Sequence, residues 1–181
     1  MSVHKLSSYG RRLFLGLGLG ALTACGPKEA ESPEIALPRS ASPLRYSFGT
    51  PDGGILGSGA HRGRVTILLF GTTYDITTQA EARRLDQFMR EHRPRLNALL
   101  VMLEPPQNIE VVRAYQEILN LGYPIAMADH DTLTRRGAFA NIQVVPGWVF
   151  LDRHGVPRAS AEGPLDFDRL RKLTSLAEEP Q

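Results

Sequence analysis

The sequence is short of sulfur chemistry. It holds a single cysteine, Cys25, in 181 residues. No disulfide can close within such a chain, so a folded part must rest on a packed apolar core. Net charge is scarce too. A formal charge of +2 is too small to argue for nucleic acid, and the arginines alternate with Asp and Glu as on a solvated surface. The extended apolar stretch from Leu13 to Leu22 is about half the length that a bilayer-spanning helix needs. There is no internal repeat, Gly-x-Gly-x-x-Gly fingerprint, P-loop or serine nucleophile elbow, which removes the usual signals of nucleotide binding and serine hydrolysis. His61, His92 and His154 are isolated and lack zinc spacing. Asp129-His130-Asp131 offers three consecutive ligand types, but adjacent side chains diverge, and the run reads as a turn and helix start. No metal site and no cofactor are expected.

What is present begins at the N-terminus. Lys5, Arg11 and Arg12 precede the apolar stretch, and small residues lead into Cys25, the order of a signal peptide. Leu22-Thr23-Ala24-Cys25 resembles the bacterial lipobox. That resemblance implies cleavage after residue 24, diacylglycerol on the Cys25 sulfur and acylation of the new N-terminus, a multiple anchor of stable kind. The alternative is an ordinary signal peptide with an accidental cysteine. Gly26 following the cysteine resembles lipoproteins sent on to the outer membrane. The expected location is the bacterial cell envelope, lipid-anchored and facing the periplasm, on the outer membrane rather than the inner. Arg11-Arg12-Leu13-Phe14-Leu15 looks like a twin-arginine signal, although Gly10 and Gly16 depart from the full pattern; export by that route or by the general one stays open.

Residues 25–43, rich in Pro, Glu, Ala and Ser without apolar period, read as the lipidated cysteine and a flexible tether. Residues 44–177 carry the periodicities of a domain, and 178–181 read as a disordered tail. Val65–Phe70 and Leu96–Leu103 are continuous apolar runs suited to buried strands. Between them, Thr78-Gln79-Ala80-Glu81 has the form of a capping box, which starts a helix at Thr78. Val111, Val112, Tyr115, Ile118 and Leu119 form a helical stripe ended by Gly122 and Pro124. Ile125–Ala128 is a short strand and Thr132–Phe139 a short helix. Trp148–Asp152, the turn Arg153-His154-Gly155 and Val156–Ala159 form a hairpin. Leu165–Leu176 is a closing amphipathic helix, and Asp52-Gly53-Gly54 signals an earlier hairpin turn. Alternation followed by a hairpin predicts an α/β fold, a central mixed β-sheet flanked by helices.

That order, with three local motifs, resembles the thioredoxin-like superfamily, in particular membrane-anchored thiol:disulfide oxidoreductases of the TlpA/ResA (redoxin) type. Gly63–Phe70 followed by Gly71-Thr72-Thr73-Tyr74 looks like the strand and turn before the family's redox site. Val145-Pro146 and the strand after it are similar to the family's cis-proline loop. Asp152-Arg153-His154-Gly155 matches the Asp-x-x-Gly hairpin. The departure is at the redox site: register from Phe70 puts the two positions of the Cys-x-x-Cys motif on Asp75 and Thr78, just after Tyr74. The Cys-x-x-x-Cys of copper-chaperone relatives would fall on Asp75 and Gln79, and Val144 and Val145 stand where they need a histidine. Leu69 replaces the buried Asp common in thioredoxins. Glu81 aligns with a family Glu, though capping alone explains it.

Thiol exchange and peroxide reduction both begin with a thiolate, and an acylated Cys25 offers none. The expectation is therefore no catalytic residue and no enzyme. It is instead a redox-inactive thioredoxin-like domain that binds or scaffolds a protein partner in the envelope through the Tyr74–Thr78 loop and the Val145-Pro146 loop. The alternatives are a thiol-disulfide oxidoreductase or peroxiredoxin-type antioxidant enzyme, and a metal carrier using Asp75, Gln79 or the Asp129 cluster. Pro146 serves either docking or only the shape of its loop.

Overall fold

The computed structural model describes residues 42–92 and 95–179. The expected export segment 1–24, Cys25 and the expected tether up to residue 41 lie outside the described residues. Every residue of β3 (Val65–Gly71) is buried, as is nearly every residue of β4 (Leu96–Met102). The two pair in parallel, with Val65 opposite Leu96 and Gly71 opposite Met102. A strand buried on both faces needs apolar residues at odd and even positions alike, which is what these two runs supply. Around them the sheet is completed in the order β2-β1-β5-β4-β3-β6-β7. β5 (Ile125–Met127) is parallel to β4, whereas β6 (Gly147–Leu151) and β7 (Pro157–Glu162) run antiparallel to their neighbours. β1 (Ser47–Gly49) and β2 (Ile55–Gly57) form a hairpin across the turn at Asp52–Gly54 and add it to the β5 edge.

The two faces of β3 divide the core. Ile67 and Leu69 pack with α1 (Ile76–His92), α2 (Ile109–Leu119) and α4 (Phe167–Glu178). Leu68 and Phe70 face a second cluster made with Tyr46, Phe48, Phe139 and Ile142. Trp148 and Phe150 join the first cluster and Val149 the second, the alternation a strand imposes.

Several boundaries differ from expectation, each for a physical reason. The α2 stripe is narrower than its sequence pattern: Val112, Tyr115 and Leu119 are buried, whereas Val111 and Ile118 are 52% and 74% exposed. At about 100° per residue those two fall on the flank of the buried row. The helix expected over Thr132–Phe139 is two short pieces, α3 (His130–Leu133) and a 3₁₀ turn over Gly137–Phe139. Arg135 (φ 55°) and Gly137 (φ 71°) are left-handed and interrupt it. α3 itself is capped by Asp129, whose carboxylate accepts from the Thr132 N–H at 2.8 Å, so the Asp129 run is the helix start that its sequence suggested. α4 is capped by Asp166 and extends through Glu178, the first residue of the expected tail, which pairs with Arg95 at 2.9 Å.

Candidate functional site

The site is built where β3 ends. Gly71, its last residue, is followed by the turn Thr72–Asp75 and then by α1. A side chain at Gly71 would collide with the Cγ2 and Oγ1 of Thr78. Glycine is what lets the first turn of α1 lie directly against the strand end.

The helix does not start at Thr78, as the capping-box pattern suggested, but three residues earlier. The Asp75 carboxylate accepts from the Thr77 N–H at 3.1 Å, the Thr78 N–H at 2.8 Å and the Thr78 hydroxyl at 2.7 Å. Asp75 is thus the cap and Thr78 a residue inside the first turn. Burial works to raise the Asp75 pKa, but the hydrogen bonds from Thr78 and Thr77 outweigh it and hold the carboxyl below its ordinary value.

Glu81, freed from a capping box, is buried at 1% exposure. It accepts from the Leu165 N–H at 3.0 Å and pairs with Arg84, whose guanidinium also donates to the Leu165 carbonyl at 2.8 Å. This ties α1 to the segment before α4. Burial raises the Glu81 pKa against those two partners.

A second brace escaped the sequence reading. Glu104, just beyond β4, is 2% exposed. One of its oxygens accepts from the Thr73 N–H at 2.9 Å and the Thr73 hydroxyl at 2.7 Å, and the other from Asn108 at 2.7 Å. Burial alone would raise the Glu104 pKa, but the donors at Thr73 and Asn108 prevail and lower it. The Leu103 N–H adds a bond to the Gly71 carbonyl at 2.8 Å. Two of the three bonds to Glu104 come from Thr73, 31 residues away in sequence, which no local pattern marks. Below the cap, Tyr115 of α2 is buried. Burial pushes its phenol up to about 12, and the Asp75 carboxylate adds to the effect.

On the neighbouring strand the Val145-Pro146 peptide is cis. Phe70 and Gly147 are the last pair of the ladder, and Pro146 and Val145 lead directly into it from just before β6. The Pro146 carbonyl accepts from the Gly163 N–H at 2.8 Å. Among the described residues, the N–H and C=O of Val145 have no backbone partner. Gly147 must be glycine, because a Cβ there would sit 2.8 Å from Ile142 and 3.0 Å from the Val144 carbonyl. Around this end of the sheet, Tyr74 and Ile76 are each 80% exposed and Val144 47%.

The structure therefore brings Tyr74, Asp75, Thr78, Val145 and Pro146 to one end of β3 and β6. Gln79 sits one turn on from Asp75, its N–H donating to the Asp75 carbonyl at 3.3 Å; among the described residues, no group of three or more His, Cys, Asp or Glu side chains could hold a metal ion. The oxygens of Asp75 are occupied by its own helix. The arrangement at this end offers a free backbone edge at Val145, an apolar rim, and an ionised carboxylate whose hydrogen bonds are internal.

No protein-family model matches the chain, and no curated protein matches it. Solved structures do. StoA from Bacillus subtilis has 22% sequence identity and a TM-score of 0.58, covering 75% of this chain and 99% of its own. MTB dsbF, solved in mixed oxidised and reduced forms, has 25% identity and a TM-score of 0.58, covering 74% and 96%. A thiol:disulfide interchange protein of the thioredoxin family from Chlorobium tepidum has 21% identity and a TM-score of 0.57, covering 75% and 95%. Likeness at this level of identity speaks to architecture, and with the sheet order and the cis-proline loop it gives this chain a thioredoxin-like α/β fold.

Proposed function

We propose that this chain is a lipid-anchored protein of the bacterial envelope, facing the periplasm from the outer membrane, whose thioredoxin-like domain binds a protein partner without thiol chemistry. One observation carries the reading: Asp75 and Thr78, at the positions where the resembled enzymes carry two cysteines, spend their polar atoms on each other and on capping α1. The sequence has no cysteine after Cys25, so the domain has no thiolate to begin an exchange. The Val145 edge supports main-chain pairing with an extended segment, and the exposed Tyr74, Ile76 and Val144 support an apolar contact around it. Aromatic anchors of this kind tend to dominate protein interfaces.

The second reading, a thiol-disulfide oxidoreductase, is favoured by what the similar solved proteins are called: a thiol:disulfide interchange protein and a secreted disulfide oxidoreductase. Insulin-disulfide reduction separates the two. The full chain carrying Cys25→Ser is expected to show only background turnover. The same chain with Asp75→Cys and Thr78→Cys added, which supplies a dithiol on the same scaffold, is expected to turn over. Turnover by the Cys25→Ser chain itself would overturn the redox-inactive reading. For the docking surface, a photocrosslinker in place of Tyr74 in intact cells is expected to capture one protein that a crosslinker at Ile118 does not. The same product from both positions would remove the site.

A further inference from the structure

The opposite end of the sheet has a different character. Three chain segments meet there. The Gly63 N–H donates to the Arg153 carbonyl at 2.8 Å, and the Leu44 N–H to the Gly155 carbonyl at 2.9 Å. These bonds join the approach to β3, the β6–β7 turn and the first described stretch of chain. They carry Arg45, Arg62, Arg64, Arg153 and His154, all exposed. None of the four arginine side chains forms an ion pair among the described residues. Asp152, the one carboxylate in the β6–β7 turn, is buried and taken up by Arg158 and by the N–H groups of His154 and Val156. Of the acidic residues at this end, Glu91 and Glu178 belong to the last turns of α1 and α4 and Glu179 follows α4 as its C-cap, and Glu178 is already paired with Arg95. The basic surface is therefore unopposed on the side where the chain enters the domain.

We propose that this arginine pole is a docking surface for anionic phospholipid headgroups, seating the domain on the membrane with the Tyr74–Val145 end turned away from it. The chemistry favours lipid over protein. Guanidinium groups match phosphate oxygens through paired hydrogen bonds. The large exposed apolar side chains, Tyr74, Ile76 and Val144 among them, all lie outside these three segments, so the pole lacks the aromatic or aliphatic anchor that protein interfaces are built around. The position of chain entry points the same way, a step that rests on the anchored reading above. Cys25 is 17 residues upstream of Ser42, at most about 60 Å of fully extended chain. That length keeps the domain near the bilayer without orienting it, and charge supplies the orientation.

Vesicle sedimentation tests this with the full chain carrying Cys25→Ser, so that no acyl chain contributes. The segment before residue 25, apolar and with its own Lys5, Arg11 and Arg12, is common to every chain compared and cancels between variants, which is where the arginine pole is read. Binding is expected to be stronger to vesicles with 30% phosphatidylglycerol than to pure phosphatidylcholine and to fall with added salt. Since a basic residue near an anionic surface is worth roughly fivefold in partition, adding Arg45→Gln, Arg62→Gln, Arg64→Gln and Arg153→Gln is expected to lower binding to the anionic vesicles by about tenfold or more. A chain with the same charge removed elsewhere, at Arg83, Arg135, Arg136 and Lys172, is expected to keep most of it; urea melts of both variants report whether they fold. Equal binding to the two lipids by the parent chain, or equal loss in the two variants, overturns the proposal. Lipid attachment is read separately, from the mass of the Cys25 peptide of the wild-type chain. An unmodified Cys25 would remove the anchor and leave the vesicle result standing on its own.

Discussion

Asp75→Ala is expected to destabilise the domain by about 2 kcal/mol, and Thr78→Val by less than half as much. The figures come from the bonds at the start of α1. The Asp75 carboxylate takes two first-turn N–H groups and the Thr78 hydroxyl. Removing a capping side chain costs about 1 kcal/mol on average and about 2 at the upper end. Because this acceptor is ionised, its bonds are stronger than neutral ones, which places it at the upper end. Thr78→Val keeps the volume of a fully buried residue and removes one bond, leaving the carboxylate its two N–H donors. Urea unfolding at pH 7, read by circular dichroism, gives both differences provided the slopes stay equal. The acid limb gives a second check. A carboxyl whose folded pKa is depressed contributes stability that is present above its unfolded value, near 3.9, and lost as pH falls through the folded one. The lowered pKa of Asp75 therefore makes the Asp75→Ala and wild-type curves converge below about pH 4. If Thr78→Val cost as much as Asp75→Ala, Thr78 would be the cap after all, and the assignment of the helix start would be wrong.

Gly71→Ala drives a Cβ into Thr78 and is expected to cost about 2 kcal/mol. Part of this should return in Gly71→Ala/Thr78→Ala, a coupling of at least about 0.5 kcal/mol in a double-mutant cycle. Glu104→Gln weakens a buried charged acceptor of three bonds. It should cost about 1.5 kcal/mol at pH 7, less in acid because the Glu104 pKa is lowered, and speed hydrogen exchange at the Thr73 amide. His61 is held below its ordinary pKa by burial, so its stabilising effect is present above about 6.5 and lost as pH falls through the folded value. The unfolding free energy should decline from pH 7 toward 5, and His61→Gln should flatten that slope; an unchanged slope would exclude His61 as its source.

The central strands were legible because they are buried on both faces and need no partner to be recognised: β3, β4 and β6 appear as apolar runs. The hairpin of β1 and β2 was visible only through its turn, since its strands are three residues each and Phe48 is the one buried residue in β1. The first turn of α1 was misplaced because Asp75-Ile76-Thr77-Thr78 and Thr78-Gln79-Ala80-Glu81 are both acceptable helix starts locally. What decides between them is Leu165, which claims Glu81 from 84 residues away. Resemblance marked Val145-Pro146 as a cis-proline loop but left its isomer open, and the structure has it cis. Glu104 was invisible for the reason that hid the role of Glu81: a buried carboxylate is placed by a donor elsewhere in the fold, and sequence spacing carries no trace of that.

The closed cap on α1 also limits what a cysteine placed there could do. A helix N-terminus with open N–H groups lowers the pKa of a cysteine placed there and makes it reactive, but here those donors already hold a carboxylate. Exchanging Asp75 alone for a thiol would uncap the helix without creating a redox pair, and exchanging Thr78 alone would leave the new thiol beside an anion that opposes its ionisation. A dithiol at these two positions therefore needs both exchanges together, and the carboxylate that closes the first turn of α1 is lost with them.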